Sequence, residues 1–301
     1  MSTCQRPPQL SSRHKFGLGC ALVCALAAGG AQAAVPVLPS ITGLSLQLEA
    51  DLGLTLDGSG NVLAWADQSG SNHDASGIGG FYAQVGSALM NGIAVPTFSD
   101  SYLLLAGQPV SSQQFSIFTV ASSPQTAAAN GFREIVSNWS ASNTTSSVFL
   151  GTVGDDSVPS TTLRFTDAIG GATDLLHVQT GVGSVANPAL GFVLSGISAA
   201  TGASVYLGQT LVTAVAALPV RDLGGTWLIG TQGGGFEFWS GTIGAVLIYD
   251  HALTDTERTE VISYLGEKYL GLAPVPEPGN WLLMATGLLA LGAWARRRPA
   301  V

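Results

Sequence analysis

The sequence predicts an all-β fold, a sandwich of two antiparallel sheets closed by one short C-terminal helix. Three observations carry this reading. Short apolar or alternating runs recur at residues 115–120, 134–137, 147–150, 204–207, 226–229 and 245–249, and β-branched and aromatic residues dominate them. Gly, Asn, Asp and Pro fill the intervals, which is turn chemistry. Helical patterning is convincing only once in the body, after Thr254. Strands without intervening helices pack as antiparallel sheets face to face, and all-β bodies of this size commonly stay single.

The 301-residue chain opens on a leader. Arg13, His14 and Lys15 form a positive region, residues 16–28 are uncharged, and Ala31-Gln32-Ala33 is a small-x-small cleavage site. Residues 1–33 therefore read as a signal peptide, removed by signal peptidase to leave Ala34 as the new N-terminus. Its apolar stretch is shorter than the roughly 20 residues that span a bilayer. All three cysteines, Cys4, Cys20 and Cys24, fall inside it. The mature chain then has no disulfide, no thiolate nucleophile and no Cys-bound metal. Its stability must come from its core, which about 240 residues can supply.

Residues 34–273 form the body. Only five of the eleven Lys and Arg residues fall in it, against eighteen of the nineteen acidic residues, a net charge near −13. Such a balance argues against nucleic acid and anionic lipid as partners. The helix near its end starts at a capping box, Thr254 with Glu257, in which each side chain satisfies a free backbone N–H. Val261, Ile262, Leu265 and Tyr269 make one apolar stripe, and Gly271 ends it.

Residues 274–301 change character. A proline-rich hinge contains Pro276, Glu277 and Pro278, residues 281–295 carry no charge, and Arg296, Arg297 and Arg298 follow at once. An apolar helix with a basic end inserts with its arginines on the cytoplasmic side. At about 22 Å this transmembrane helix is short for a hydrocarbon core of about 30 Å, which suits temporary insertion. The three parts in this order resemble the PEP-CTERM sorting signal of Gram-negative bacteria. The resemblance implies an exosortase as processing partner, removal of the tail near Pro276-Glu277-Pro278, transient inner-membrane insertion, and a cell-surface or extracellular destination.

The body also resembles a known superfamily. Trp65-Ala66-Asp67-Gln68-Ser69-Gly70-Ser71-Asn72-His73-Asp74-Ala75 looks like the Trp, Asp-x-Ser-Gly, Asn-x-x-Ala turn of laminin-G-like domains of the concanavalin A-like lectin/glucanase type. Residues 238–250, followed by Ala252-Leu253-Thr254-Asp255, are similar to the closing strand and turn of that family, and residues 205–209 fit its penultimate hairpin. The resemblance implies a jelly roll of two large sheets. It also implies a Ca²⁺ site at the sheet rim, for which Asp67 with Asp74, and Asp155 with Asp156, are the candidates.

Many relatives of this fold cleave polysaccharides with Glu-x-Asp-x-x-Glu on one strand. Here Glu49 and Asp51 match the first two members, but Leu54 stands where the second glutamate would be. Without the acid and nucleophile pair, Glu49 and Asp51 are expected to face solvent on an early strand. His73, His177 and His251 lack zinc-protease spacing, there is no Gly-x-Ser-x-Gly elbow, and residues 230–235 read as a hairpin loop, not a phosphate cradle. Trp139, between Asn138 and Asn143 in a polar stretch, is the aromatic candidate for stacking on a sugar. The expectation is an exported, non-catalytic carbohydrate- or protein-binding sandwich with an extracellular polysaccharide as ligand. A polysaccharide hydrolase and a ligand-free structural component of a biofilm are the alternatives.

Overall fold

The computed structural model describes residues 35–110, 112–123, 131–139, 147–155, 158–167, 173–179, 190–216, 223–272 and 286. The cleavage residues Ala31, Ala33 and Ala34, the carboxylate Asp156, and the tail residues Pro276, Glu277, Pro278, Arg296, Arg297 and Arg298 lie outside the described residues. Among the described residues, no helix is long and apolar enough to cross a membrane.

In chain order the first strands are β1 (Leu44–Glu49), β2 (Leu54–Leu56), β3 (Val62–Trp65), β4 (Ala75–Gly77), β5 (Gln84–Met90) and β6 (Ile93–Phe98). Next come β7 (Leu103–Leu105), β8 (Phe115–Ser122), β9 (Gly131–Ser137), β10 (Ser147–Asp155), β11 (Val158–Asp167) and β12 (Thr173–Gln179). The chain continues through β13 (Phe192–Ala199), β14 (Gly202–Leu207), β15 (Thr210–Ala216), β16 (Leu228–Ile229) and β17 (Gly241–Tyr249) to α1 (Asp255–Leu270). All six apolar runs read from the sequence lie in strands, although the run at 226–229 contributes only the two residues of β16.

Two antiparallel sheets result. The first runs β15-β14-β13-β8-β17-β6-β5, with β1 paired to the second half of β17. The second runs β12-β11-β10-β9-β16-β7-β4-β3-β2. Every residue of β17 is buried, and so are all but the last residues of β8 and β13. A strand that is apolar on both faces needs a cover on both sides. Here the second sheet covers one face and α1, lying against β8 and β13, covers the other. Trp65, Trp227 and Trp239 anchor the core, and each indole N–H finds a backbone carbonyl: Glu49, Leu223 and Thr242 respectively.

The helix forms as its sequence signals. Thr254 accepts from the Glu257 N–H while the Glu257 carboxylate accepts from the Thr254 N–H, and Gly271 closes the other end at φ 62°. Its last carbonyls are also capped from outside, because the Asn91 amide donates to the carbonyls of Glu267 and Lys268.

Glu49 departs from expectation. It is fully buried instead of facing solvent, because α1 brings donors to it. Tyr264 Oη donates to Glu49 Oε2 at 2.6 Å, Lys268 Nζ donates to the same oxygen at 2.5 Å, and Gln47 Nε2 donates to Oε1 at 2.6 Å. Lys268 spends its other two protons on Asp51 at 2.9 Å and Tyr264 at 3.1 Å, and Tyr269 donates to Asp51. A buried carboxylate is tolerable only with such a complete set of partners.

Lys268→Met should therefore cost about 3 kcal/mol in urea unfolding, since it strands the Glu49 charge. Adding Glu49→Gln to that variant should recover part of the loss. Unchanged stability in the single variant would remove this network as the element that docks the helix. Burial, reinforced by the Glu49 charge, raises the Tyr264 and Tyr269 hydroxyls above the ordinary tyrosine range. Burial works against the Lys268 ammonium, but its hydrogen bonds to Glu49, Asp51 and Tyr264 outweigh this and raise it too. All three groups thus hold protons in the fold that the unfolded chain releases near pH 10. Stability from this source is complete below about pH 10 and lost above it, so a pH series of melting temperatures should fall steeply there. A flat profile through that range would contradict the assignment.

Candidate functional site

With α1 on the first sheet, the second sheet keeps an outer face on which Leu104 is half-buried and Ser137, Phe149 and Leu228 are buried. Cross-strand partners share a face, so the register sorts its residues. Ser76, Leu104, Leu228, Ser137 and Phe149 form one row on the outer face. Leu103, Ile229, Val136 and Leu150 form the neighbouring row that enters the core.

On this outer face lies a cleft of about 610 Å³ with Leu104 and Leu228 among its lining residues. Three aromatic rings line it in series. Phe81 and Tyr102 have centroids 5.7 Å apart, and Tyr102 and Phe238 are 6.4 Å apart, with interplanar angles of 31° and 39°. Phe81 is 48% exposed, and Phe236 beside the cleft is 67% exposed. The rings come from distant parts of the chain, and backbone bonds fix them. The Phe81 N–H donates to Ile78, and the Tyr102 N–H donates to the Phe81 carbonyl.

The far wall is the loop after β16, which doubles back on itself. The Trp239 N–H donates to the Gly230 carbonyl, Thr231 Oγ1 donates to the Phe236 carbonyl, and the Gly235 N–H donates to the Gln232 carbonyl. Gly234 and Gly235 take φ 102° and 73°, a turn that side chains would resist. Glu237 also sits at positive φ, 58°, at a cost of about 1–2 kcal/mol. Backbone contact with β9 holds it there: the Glu134 N–H donates to the Glu237 carbonyl, and Glu134 pairs with Phe238. Strain of this kind collects where a fold positions groups for a task.

A second, polar recess of about 350 Å³ adjoins the cleft through Phe238, which lines both. Asp100, Arg133 and Glu237 line it together with Ser99 and Ser240. The composite is an apolar aromatic surface running into a mixed-charge pocket.

The sequence-derived candidates lie elsewhere or at its margin. Trp139 follows β9, and its carbonyl accepts the Gly233 N–H at 2.6 Å, so it fixes the cleft loop by its backbone. Asp67 organises the turn between β3 and β4. Its Oδ1 accepts the N–H groups of Gln47 and Ser69, and its Oδ2 accepts the Ser69 hydroxyl and the His73 N–H. Four donors saturate a carboxylate, so a cation there would have to displace the chain's own bonds. Asp74 accepts the Asp67 N–H. Asp155 ends β10, separated from that turn by several strands of the sheet. Among the described residues no group of three or more His, Cys, Asp or Glu is placed to hold a metal ion. His73 Nδ1 contacts the Ala106 carbonyl at 2.7 Å, tying its turn to the segment after β7, and His251 Nδ1 contacts the adjacent Asp250.

Sequence reasoning passed over Phe81, Tyr102, Asp100, Glu237 and Phe238. A signal was present: Gly79-Gly80-Phe81-Tyr82 and Gly233-Gly234-Gly235-Phe236-Glu237-Phe238 place aromatics in glycine-rich stretches, where no regular strand would bury them.

No protein-family model matches this chain, and no curated protein matches it either. Solved structures do. The binding domain of Paraclostridial Mosquitocidal Protein 1 is 13% identical with a TM-score of 0.53, over 73% of this chain and 52% of that one. The botulinum neurotoxin serotype D/C binding domain is 11% identical with a TM-score of 0.52, over 74% of this chain and 52% of that one. This chain thus spans about half the length of those two toxin domains. Domain 4 of the extracellular arabinanase AbnA from Geobacillus stearothermophilus, solved with arabinotriose, is 14% identical with a TM-score of 0.46, over 73% of this chain and 98% of that one. For the two toxin domains, at these identities, the likeness is one of fold, the β-sandwich.

Proposed function

We propose that this chain is an exported β-sandwich that binds extracellular carbohydrate through the aromatic cleft on its second sheet. The single observation that carries the reading is the series Phe81, Tyr102 and Phe238 over a cleft of about 610 Å³ beside polar groups. A sugar ring has an apolar C–H face and a rim of hydroxyls. An aromatic platform next to hydrogen-bonding side chains complements both surfaces at once. The toxin domains of similar fold are binding domains by description, which supports a binding role.

Glycan-array binding of the wild type and of Tyr102→Ala tests this. Wild-type signal on one or more glycans, reduced at least about tenfold by the substitution, is the expected result. A flat array would leave the chain a structural component, and release of shortened glycans would move the reading to a hydrolase. EDTA should leave the signal unchanged, because the Asp67 carboxylate is already saturated by the chain.

Delivery to that ligand is the task of the two ends. The leader would direct export, and the Pro276-Glu277-Pro278 hinge, apolar stretch and Arg296-Arg297-Arg298 cluster would hold the chain at the inner membrane for exosortase. A tag in the body and a tag at the C-terminus should then report different lengths, the body-tagged product being shorter. That difference should vanish in a strain without exosortase, and equal lengths in both strains would sink the sorting claim.

A further inference from the structure

We infer that the aromatic cleft and the polar recess are one continuous site whose ligand is an uncharged oligosaccharide longer than a single sugar; this rests on the carbohydrate reading of the cleft. Phe238 lines both spaces, so a chain stacked on Tyr102 and Phe238 has the recess as its immediate neighbour. The character of the lining changes at that ring. The cleft offers faces for stacking, whereas the recess offers Asp100, Arg133 and Glu237 with two serines. One sugar unit cannot use both chemistries, but a chain of units can.

The recess selects by charge. Two carboxylates against one guanidinium leave it net negative, in a body near −13. A uronate or sulfated chain would meet like charge and a desolvation cost with no surplus cation to offset them. Neutral sugar hydroxyls suit the set instead. Adjacent hydroxyls donate to a carboxylate and accept from the fixed fork of a guanidinium, so every group stays paired when water leaves. The backbone supports the assignment. Asp100 at φ 49° and Glu237 at φ 58° are both in the left-handed region, and both border this recess. Glu237 is a residue type that seldom adopts that conformation, and β9 clamps it there.

Calorimetry on the full chain with neutral oligosaccharides, from monosaccharide to hexasaccharide, tests the inference beside matched oligogalacturonates. Arg133→Ala, Glu237→Gln and Tyr102→Ala are the variants, with melting temperatures confirming that each is folded. Affinity should rise at least about tenfold from monosaccharide to trisaccharide. Arg133→Ala and Glu237→Gln should each remove most of that gain, and the galacturonates should not bind. If Tyr102→Ala abolishes binding but both recess variants keep the full length dependence, the cleft reading stands and the recess inference falls. Tighter binding of galacturonates, or of amino-sugar oligomers, than of neutral chains would overturn the charge selection. No binding of any oligosaccharide to the wild type would remove the carbohydrate reading itself.

Discussion

A buried carboxylate has to be satisfied, and in this fold that requirement joins the three layers at one residue. Glu49 pairs through its backbone with Ala245 of β17, in the first sheet. Its carbonyl accepts the indole N–H of Trp65, from the second sheet. Its side chain takes the hydroxyl of Tyr264 and the ammonium of Lys268, both from α1. Tyr264 lies 215 residues further along the chain, so the contact closes most of the body into one loop. Loop closure over that distance is costly, and a hydrogen-bonded charge gives α1 one register in which to dock.

The position of the site follows from that closure. With α1 fixed on the first sheet, β8, β13 and β17 are covered on both faces and have no surface to offer a ligand. The second sheet keeps an outer face, and three loops converge on it. They carry Phe81, Tyr102 and Phe238, aromatics that lie outside the core cluster. The loop after β16 is the most constrained of the three, with a glycine turn, a strained Glu237 and backbone bonds to β9. A rigid loop presents its rings without an ordering cost on binding.

What the sequence revealed tracks the range of the interaction concerned. The helix was legible to its caps, because Thr254, Glu257 and Gly271 act within one turn of their targets. The central strands were legible because burial on both faces makes a continuous apolar run. Short strands such as β2, β4 and β7 left no such run, for three residues hold too little pattern. Glu49 was misread because its partners are remote in sequence; alternation along β1 cannot announce a lysine on the last helix. Asp67 drew attention as a loop carboxylate, and the fold uses it to hold the Trp65 to Ala75 turn with four bonds. The cleft was the hardest to read, since Phe81, Tyr102 and Phe238 share no local pattern and meet only in the folded chain.

The body's few cations bear on the proposed carbohydrate ligand. Two of the five are consumed by the fold: Arg258 stacks 3.9 Å from the centre of the Tyr206 ring, and Lys268 is bound to Glu49 and Asp51. Arg133 is different, because it lines a recess at the end of an aromatic cleft. In an acidic domain a guanidinium that shares its recess with two carboxylates is a poor trap for an anion. It remains a good hydrogen-bond fork, because geometry survives where net charge does not. Recognition built this way depends on the placement of hydroxyls and little on long-range attraction, so it is insensitive to salt. That property would suit the extracellular destination proposed for this chain, where ionic strength is not regulated.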